Sequence, residues 1–130
     1  MTETNILTKE ELKEIILKNP NGFTIDLSGN LIKKGFACAF TNSNQKIDLN
    51  QNIDNLFKMI KEGFNNLDKK KVYIGYWKEN NIDYLDLTKL VNKKNALYLS
   101  KIFNQKGIFQ IEKNLFIENK FYKEIKQDDI

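Results

Sequence analysis

Apolar residues recur every three or four positions in one long stretch of this chain and every second position in others, and that change of period marks out its elements. Ile53, Leu56, Phe57, Ile60, Phe64 and Leu67 fall on one helical face, while Asp54, Asn55, Lys58, Lys61 and Glu62 fall outside it. Gly63 weakens this helix slightly. A shorter helix precedes it. There Thr8 and Glu11 have capping-box spacing, Leu12, Ile15 and Ile16 form the stripe, and Pro20 ends the helix near Asn19. A third helix starts at the capping residue Asn92 and carries Ala96, Leu99, Ile102 and Phe103.

Two segments alternate instead. In the first, Gly22 to Phe40, a turn at Gly29-Asn30 pairs Ser28 with Leu31, Leu27 with Ile32 and Asp26 with Lys33. That register gathers Phe23, Ile25, Leu27, Ile32, Phe36, Cys38 and Phe40 on one face, and only Lys34 falls on the wrong side. A polar loop, Thr41 to Gln51, leads to the long helix, and Lys69, Lys70 and Lys71 follow it as a basic connection. The second hairpin runs from Val72 to Val91 about Asn80-Asn81. It sets Tyr76 against Leu85 and Ile74 against Leu87 on one face, with Trp77 against Tyr84 and Tyr73 against Thr88 on the other. Gly107 to Ile111 reads as a fifth strand and Leu115 to Ile117 as a shorter sixth candidate.

The order α-ββ-α-ββ-α-β predicts an α+β fold. Its antiparallel sheet has about five strands, made of two hairpins and a C-terminal strand, with three helices on one face. Such short hairpin turns exclude the crossovers of a doubly wound parallel sheet. At 130 residues one domain is expected, residues 1–130, with an N-terminal helical segment at 1–20 and a fraying charged tail at 120–130.

Composition then closes off chemistry. The chain has no histidine, and all 21 of its basic residues are lysine. It therefore lacks the usual neutral-pH base and metal ligand, and the forked cation that clamps phosphates and carboxylates. Heavy use of Lys, Asn and Ile is what an AT-rich coding sequence produces, so the missing arginine is not by itself functional. A net charge of +4 disfavours a nucleic-acid mimic. One cysteine, Cys38, permits no internal disulfide and suits a reducing compartment. With neither a secretory leader pattern nor an apolar run of about 18 residues, the expectation is a soluble cytoplasmic protein with no membrane association.

Candidate sites are correspondingly few. Asp83 and Asp86 point to opposite faces of a strand, so they do not share a metal, and no metal site or cofactor is expected. Cys38 lacks an activating base and sits with Phe36 and Phe40 on the core face. Asp26, Asp83 and Asp86 read more simply as cross-strand partners or solvated groups than as acid-base catalysts, and no glycine-rich phosphate cradle occurs. No enzymatic activity is expected. Lys69, Lys70 and Lys71, with Lys93 and Lys94, are candidate phosphate contacts, and Tyr73 and Trp77 candidate base-stacking groups. Solubilising loop lysines are the plainer reading. The strongest candidate is the face carrying Tyr73, Trp77, Tyr84 and Ile82 around Gly75. Tyr and Trp bury much area at low entropic cost, which suits a protein interface. Cover by the N-terminal helix or by a second copy of the chain in a homodimer is the alternative. Asn104 to Ile111 is a candidate edge strand open to pairing.

Gly22-Phe23-Thr24, Gly35-Phe36-Ala37-Cys38-Ala39, Tyr73-Ile74-Gly75-Tyr76-Trp77, Tyr84-Leu85-Asp86-Leu87, Ala96 and Asn104-Gln105-Lys106-Gly107-Ile108-Phe109 follow one another in order. This run, over roughly residues 22 to 111, resembles small uncharacterised proteins encoded by phages and mobile elements of low-GC bacteria. Those proteins carry Gly-Tyr-Ala-Val-Ala where this chain has Gly35-Phe36-Ala37-Cys38-Ala39. The resemblance implies a phage accessory protein that binds and blocks a host protein, such as a CRISPR-Cas effector or another defence component. It brings no catalytic or ligand residues. The expected function is thus a non-enzymatic anti-defence inhibitor acting through protein-protein interaction. A binder of nucleic acid or a signalling nucleotide, and a toxin immunity protein, are the alternatives.

Overall fold

In the computed structural model, which describes residues 6–39, 48–63, 72–102, 105, 107–113 and 115–120, capping chemistry sets the first helix, α1 (Lys9–Lys18). The Thr8 hydroxyl accepts the Glu11 N–H at 3.1 Å, and the Glu11 carboxylate accepts the Thr8 N–H at 3.0 Å. Asn19 closes the helix by donating its N–H to the carbonyls of Ile15 and Ile16. There follow β1 (Phe23–Asp26), β2 (Phe36–Ala39), α2 (Leu49–Gly63), β3 (Tyr73–Glu79), β4 (Ile82–Val91), α3 (Lys93–Ile102), β5 (Gly107–Gln110) and β6 (Leu115–Glu118). The fold is α+β, as the alternation of periods predicts, and the short sixth strand is real. All six strands form one antiparallel sheet in the order β1-β3-β4-β2-β5-β6.

The second hairpin keeps its expected register throughout, from Glu79 opposite Ile82 to Tyr73 opposite Thr88. Asn80 and Asn81 take φ values of 53° and 65°, the left-handed pair that matches strand twist in a two-residue turn. The first hairpin does not form. β1 pairs with β3, β2 pairs with β4 and β5, and β3 and β4 lie between them. The Asp26 side chain is one reason. Its Oδ1 accepts the Ser28 and Asn30 N–H groups at 3.0 and 2.9 Å, so the turn tightens and Ile25 bridges Leu31. The pairings of Leu27 with Ile32 and Asp26 with Lys33 are lost with that register. The length of β4 is the other reason: Thr88–Val91, at the end of its ten residues, pairs with β2. Gly35, at φ +120°, redirects the chain into that slot.

All three helices pack on one face. α1 and α2 bury Leu12, Ile16, Ile53, Leu56 and Ile60 against Ile25, Ile74, Tyr76, Leu85 and Leu87. α3 places Ala96 over Cys38 and Ile108. By strand alternation Cys38, opposite Lys89, shares the face of Leu87. α2 begins at Leu49, inside the stretch expected as loop, because Asp48 Oδ1 accepts the Asn50 N–H at 3.0 Å. Asn92 caps α3 as expected, accepting the Asn95 N–H at 2.9 Å, but Ile102 is exposed rather than part of the stripe. Phe40, Phe64, Leu67, Phe103, the Lys69–Lys71 run and the tail from residue 121 lie outside the described residues. None of the described helices is long and apolar enough to cross a membrane.

Candidate functional site

The sheet face turned away from the helices carries the aromatic positions. Trp77 and Tyr84 oppose each other across β3 and β4 and stack, with ring centroids 4.5 Å apart and planes 15° apart. Ile82 follows on the same face of β4 and is half-buried. β1 begins opposite Tyr76, so on that side β3 runs on from Trp77 past the start of its neighbouring strand. That projection leaves Trp77 39% exposed. α1 packs on the other face, against the core, and does not cover this one.

Tyr73 shares the face but not the cluster. It lies at the far end of β3, half-buried between Asp26 and Thr88, with Gly75 separating it from Trp77. A Cβ on Gly75 would come within 2.7 Å of the Thr88 hydroxyl, so the centre of the face is kept flat by contact. Thr24, Thr88 and Ala37 are buried here although no helix covers them. Curvature of the sheet explains it. Flat strands about 4.8 Å apart would hold β1 and β5 roughly 19 Å from each other. Yet Thr24 of β1 and Phe109 of β5 line one cleft of about 200 Å³ with Ile32 and Lys33. The helix-free face is therefore concave at this end, filled by the return segment after β1, and open at the hairpin end.

The other sequence candidates are dispersed. Lys69, Lys70 and Lys71 lie outside the described residues. Lys93 and Lys94 are exposed at the start of α3, on the helix side of the sheet from Trp77. Asp83 is neither solvated nor a cross-strand ion partner: it is buried, its Oδ1 accepts the Tyr76 hydroxyl at 2.5 Å, and its carbonyl accepts Asn52 Nδ2 at 3.0 Å. Burial, and then the hydrogen bond and negative charge of Asp83, push the Tyr76 hydroxyl well above the usual tyrosine range. Asp26 organises its own turn, and Asp86 faces away from Asp83, opposite Gly75. Cys38 is buried beneath α3, and burial raises its thiol from 9.0 to about 11, which keeps it protonated at neutral pH. No three His, Cys, Asp or Glu side chains cluster among the described residues.

Sequence reasoning missed Ile32, Lys33 and Phe109 as neighbours, because the cleft joins segments that meet only through the sheet order. What the hairpin end offers is a pre-stacked aromatic pair extended by Ile82, with the carboxylates of Glu79 and Asp86 at its borders on the same face. Comparison of the chain with protein-family models, with curated proteins and with solved structures returned no match.

Proposed function

We propose that this chain is a non-enzymatic inhibitor that binds a protein through the hairpin end of its helix-free sheet face. The Trp77–Tyr84 stack carries the reading. Two rings held against each other have already given up their rotamer freedom, so docking on them costs less entropy than docking on loose side chains. Ile82 extends the apolar area, and the run of β3 past the start of β1 gives a partner room to approach. The biological setting, a cytoplasmic phage accessory protein directed at a host defence component such as a CRISPR-Cas effector, rests on the resemblance in sequence. The nucleic-acid alternative finds less support, since the lysines of α3 and the aromatic stack occupy opposite sides of the sheet.

The test is affinity capture from a nuclease-treated bacterial lysate, with wild-type chain and Trp77→Ala side by side. A near-stoichiometric protein retained by the wild type and weakened by about 30-fold in the variant is expected, which corresponds to roughly 2 kcal/mol. Equal retention by both would remove this face as the binding surface. Retention that needs nucleic acid and collapses with moderate salt would move the assignment to the alternative.

A further inference from the structure

β1 lies at one edge of the sheet, whereas the expected edge strand, Asn104 to Ile111, is interior, since β5 lies between β2 and β6. The chain enters β1 from α1 through Asn19-Pro20-Asn21-Gly22, a turn closed by the Gly22 N–H, which donates to the Asn19 carbonyl at 3.1 Å. Pro20 suits the second place of such a turn. Asn21 lacks the positive φ that a type II turn demands, so the turn is type I. Position 22 has to be glycine for two reasons. Its φ is +107°, and a Cβ there would come within 2.8 Å of the Tyr76 carbonyl oxygen and 3.7 Å of the Trp77 Cα. Nothing fixes Asn21 in the same way: it is exposed, and its carboxamide has no hydrogen-bond partner among the described residues. The pair that results is the one Asn-Gly step in the chain.

We propose that Asn21 is a site of spontaneous deamidation and isoaspartyl rearrangement, held off by this turn and released when the connection between α1 and β1 opens. The step needs only water. The Gly22 amide nitrogen gives up its proton to solvent and attacks Asn21 Cγ. The N–Cγ bond forms, the Cγ–Nδ2 bond breaks, and the displaced amide takes up a proton and leaves as ammonia. Water then opens the cyclic imide at either carbonyl, which leaves aspartate or isoaspartate at position 21. Glycine makes the attack easy because no side chain crowds the nitrogen. The native turn opposes it twice. The Asn19 carbonyl holds the Gly22 proton. In a type I turn, ψ near 0° at Asn21 also sets the Gly22 nitrogen about 120° from Cβ around the Cα–C bond, whereas the ring requires them eclipsed. Reaction therefore follows the population of the opened turn. Isoaspartate adds a methylene to the main chain immediately before Gly22, which the register of Phe23 with Tyr76 sets opposite Trp77. With the Tyr76 carbonyl so close, the extra length has no room there, so the modification displaces the backbone beside Trp77.

Incubation of the full chain at mildly alkaline pH, folded and in guanidinium chloride above its unfolding transition, tests this. Peptide mapping follows a mass gain of about 1 Da at residue 21. In denaturant Asn21 is expected to be the fastest-reacting asparagine and to give more isoaspartate than aspartate. The folded chain should react there at least about 10-fold more slowly. Pro20→Ala, with its fold verified by thermal melting, should raise the folded rate by about 3-fold, because the turn loses its preset φ. The isoaspartyl form, separated by ion exchange, should show a shifted Trp77 emission, and Asn21→Ser should keep its emission constant over the same incubation. Equal rates in the folded and unfolded chain overturn the proposal, as does an unmodified Asn21 in denaturant or a folded rate unmoved by Pro20→Ala. Unchanged Trp77 emission in the isoaspartyl form overturns the link to β3. These readings need no partner, so failure here leaves the proposed binding surface standing.

Discussion

Replacing Tyr76 with Phe removes one oxygen from the molecule, and its position makes the effect large. Tyr76 is 4% exposed and Asp83 9%, and the hydroxyl donates to the Asp83 carboxylate at 2.5 Å. Without it a buried carboxylate oxygen loses its donor, while the ring keeps its packing against Phe23 at 5.1 Å. A hydrogen bond to a charged group contributes about 1.5–3 kcal/mol, and an orphaned buried acceptor carries a penalty of similar size, so a loss of roughly 2–3 kcal/mol is expected. For a domain of this size that is a fall in Tm of about 8–12 °C. Urea titration of the wild type, Tyr76→Phe, Asp83→Asn and the double variant measures the coupling directly. Coupling of about 1–2 kcal/mol is predicted. Coupling near zero, with Tyr76→Phe costing less than about 0.5 kcal/mol, would refute the buried pair and mean that Asp83 reaches water.

Three further outcomes follow from other contacts. A Cβ on Gly107 would run into the Ile117 carbonyl oxygen, so Gly107→Ala should cost about 2 kcal/mol or more by denaturant unfolding, unlike an ordinary glycine-to-alanine change. Asn81→Gly should be neutral or slightly stabilising, and Asn81→Val should lower stability by more than about 1 kcal/mol, because a β-branched residue resists a φ of 65°. The Cys38 thiol titrates near 11 folded against 9.0 for the free group, so the unfolded chain loses its proton first. Stability from this group is complete below pH 9 and is lost as pH rises through 11, and Cys38→Ala should flatten that part of a pH series of melting curves.

How much the sequence reveals depends on how local the cause is. The Asn80-Asn81 hairpin was legible to the residue, since two left-handed asparagines and strict alternation leave one register. Both caps, at Thr8 and Asn92, were legible for the same reason. The first hairpin was not. Its alternation did place Phe23, Ile25, Phe36 and Cys38 on the helix side, but the side-chain bonds of Asp26 set a tighter turn than Gly29-Asn30 implies. Pairing of β1 with β3 and of β2 with β4 spans dozens of residues and leaves no local mark. The same limit applies to the site. Trp77 opposite Tyr84 could be read from the pattern, whereas the exposure of Trp77 depends on where β1 begins along β3. Asp83 shows the converse: a charged residue beside a turn reads as solvated until Tyr76 and Asn52 are brought over it.

Trp77 is the one tryptophan in the chain, so its fluorescence reports on the proposed surface without interference. Acrylamide quenching of Trp77 in the free protein, repeated after addition of the captured partner, is the most direct test. The account predicts ready quenching when free, and a blue-shifted, shielded emission in the complex. Emission already shielded in the free protein, or unchanged by the partner, would contradict it.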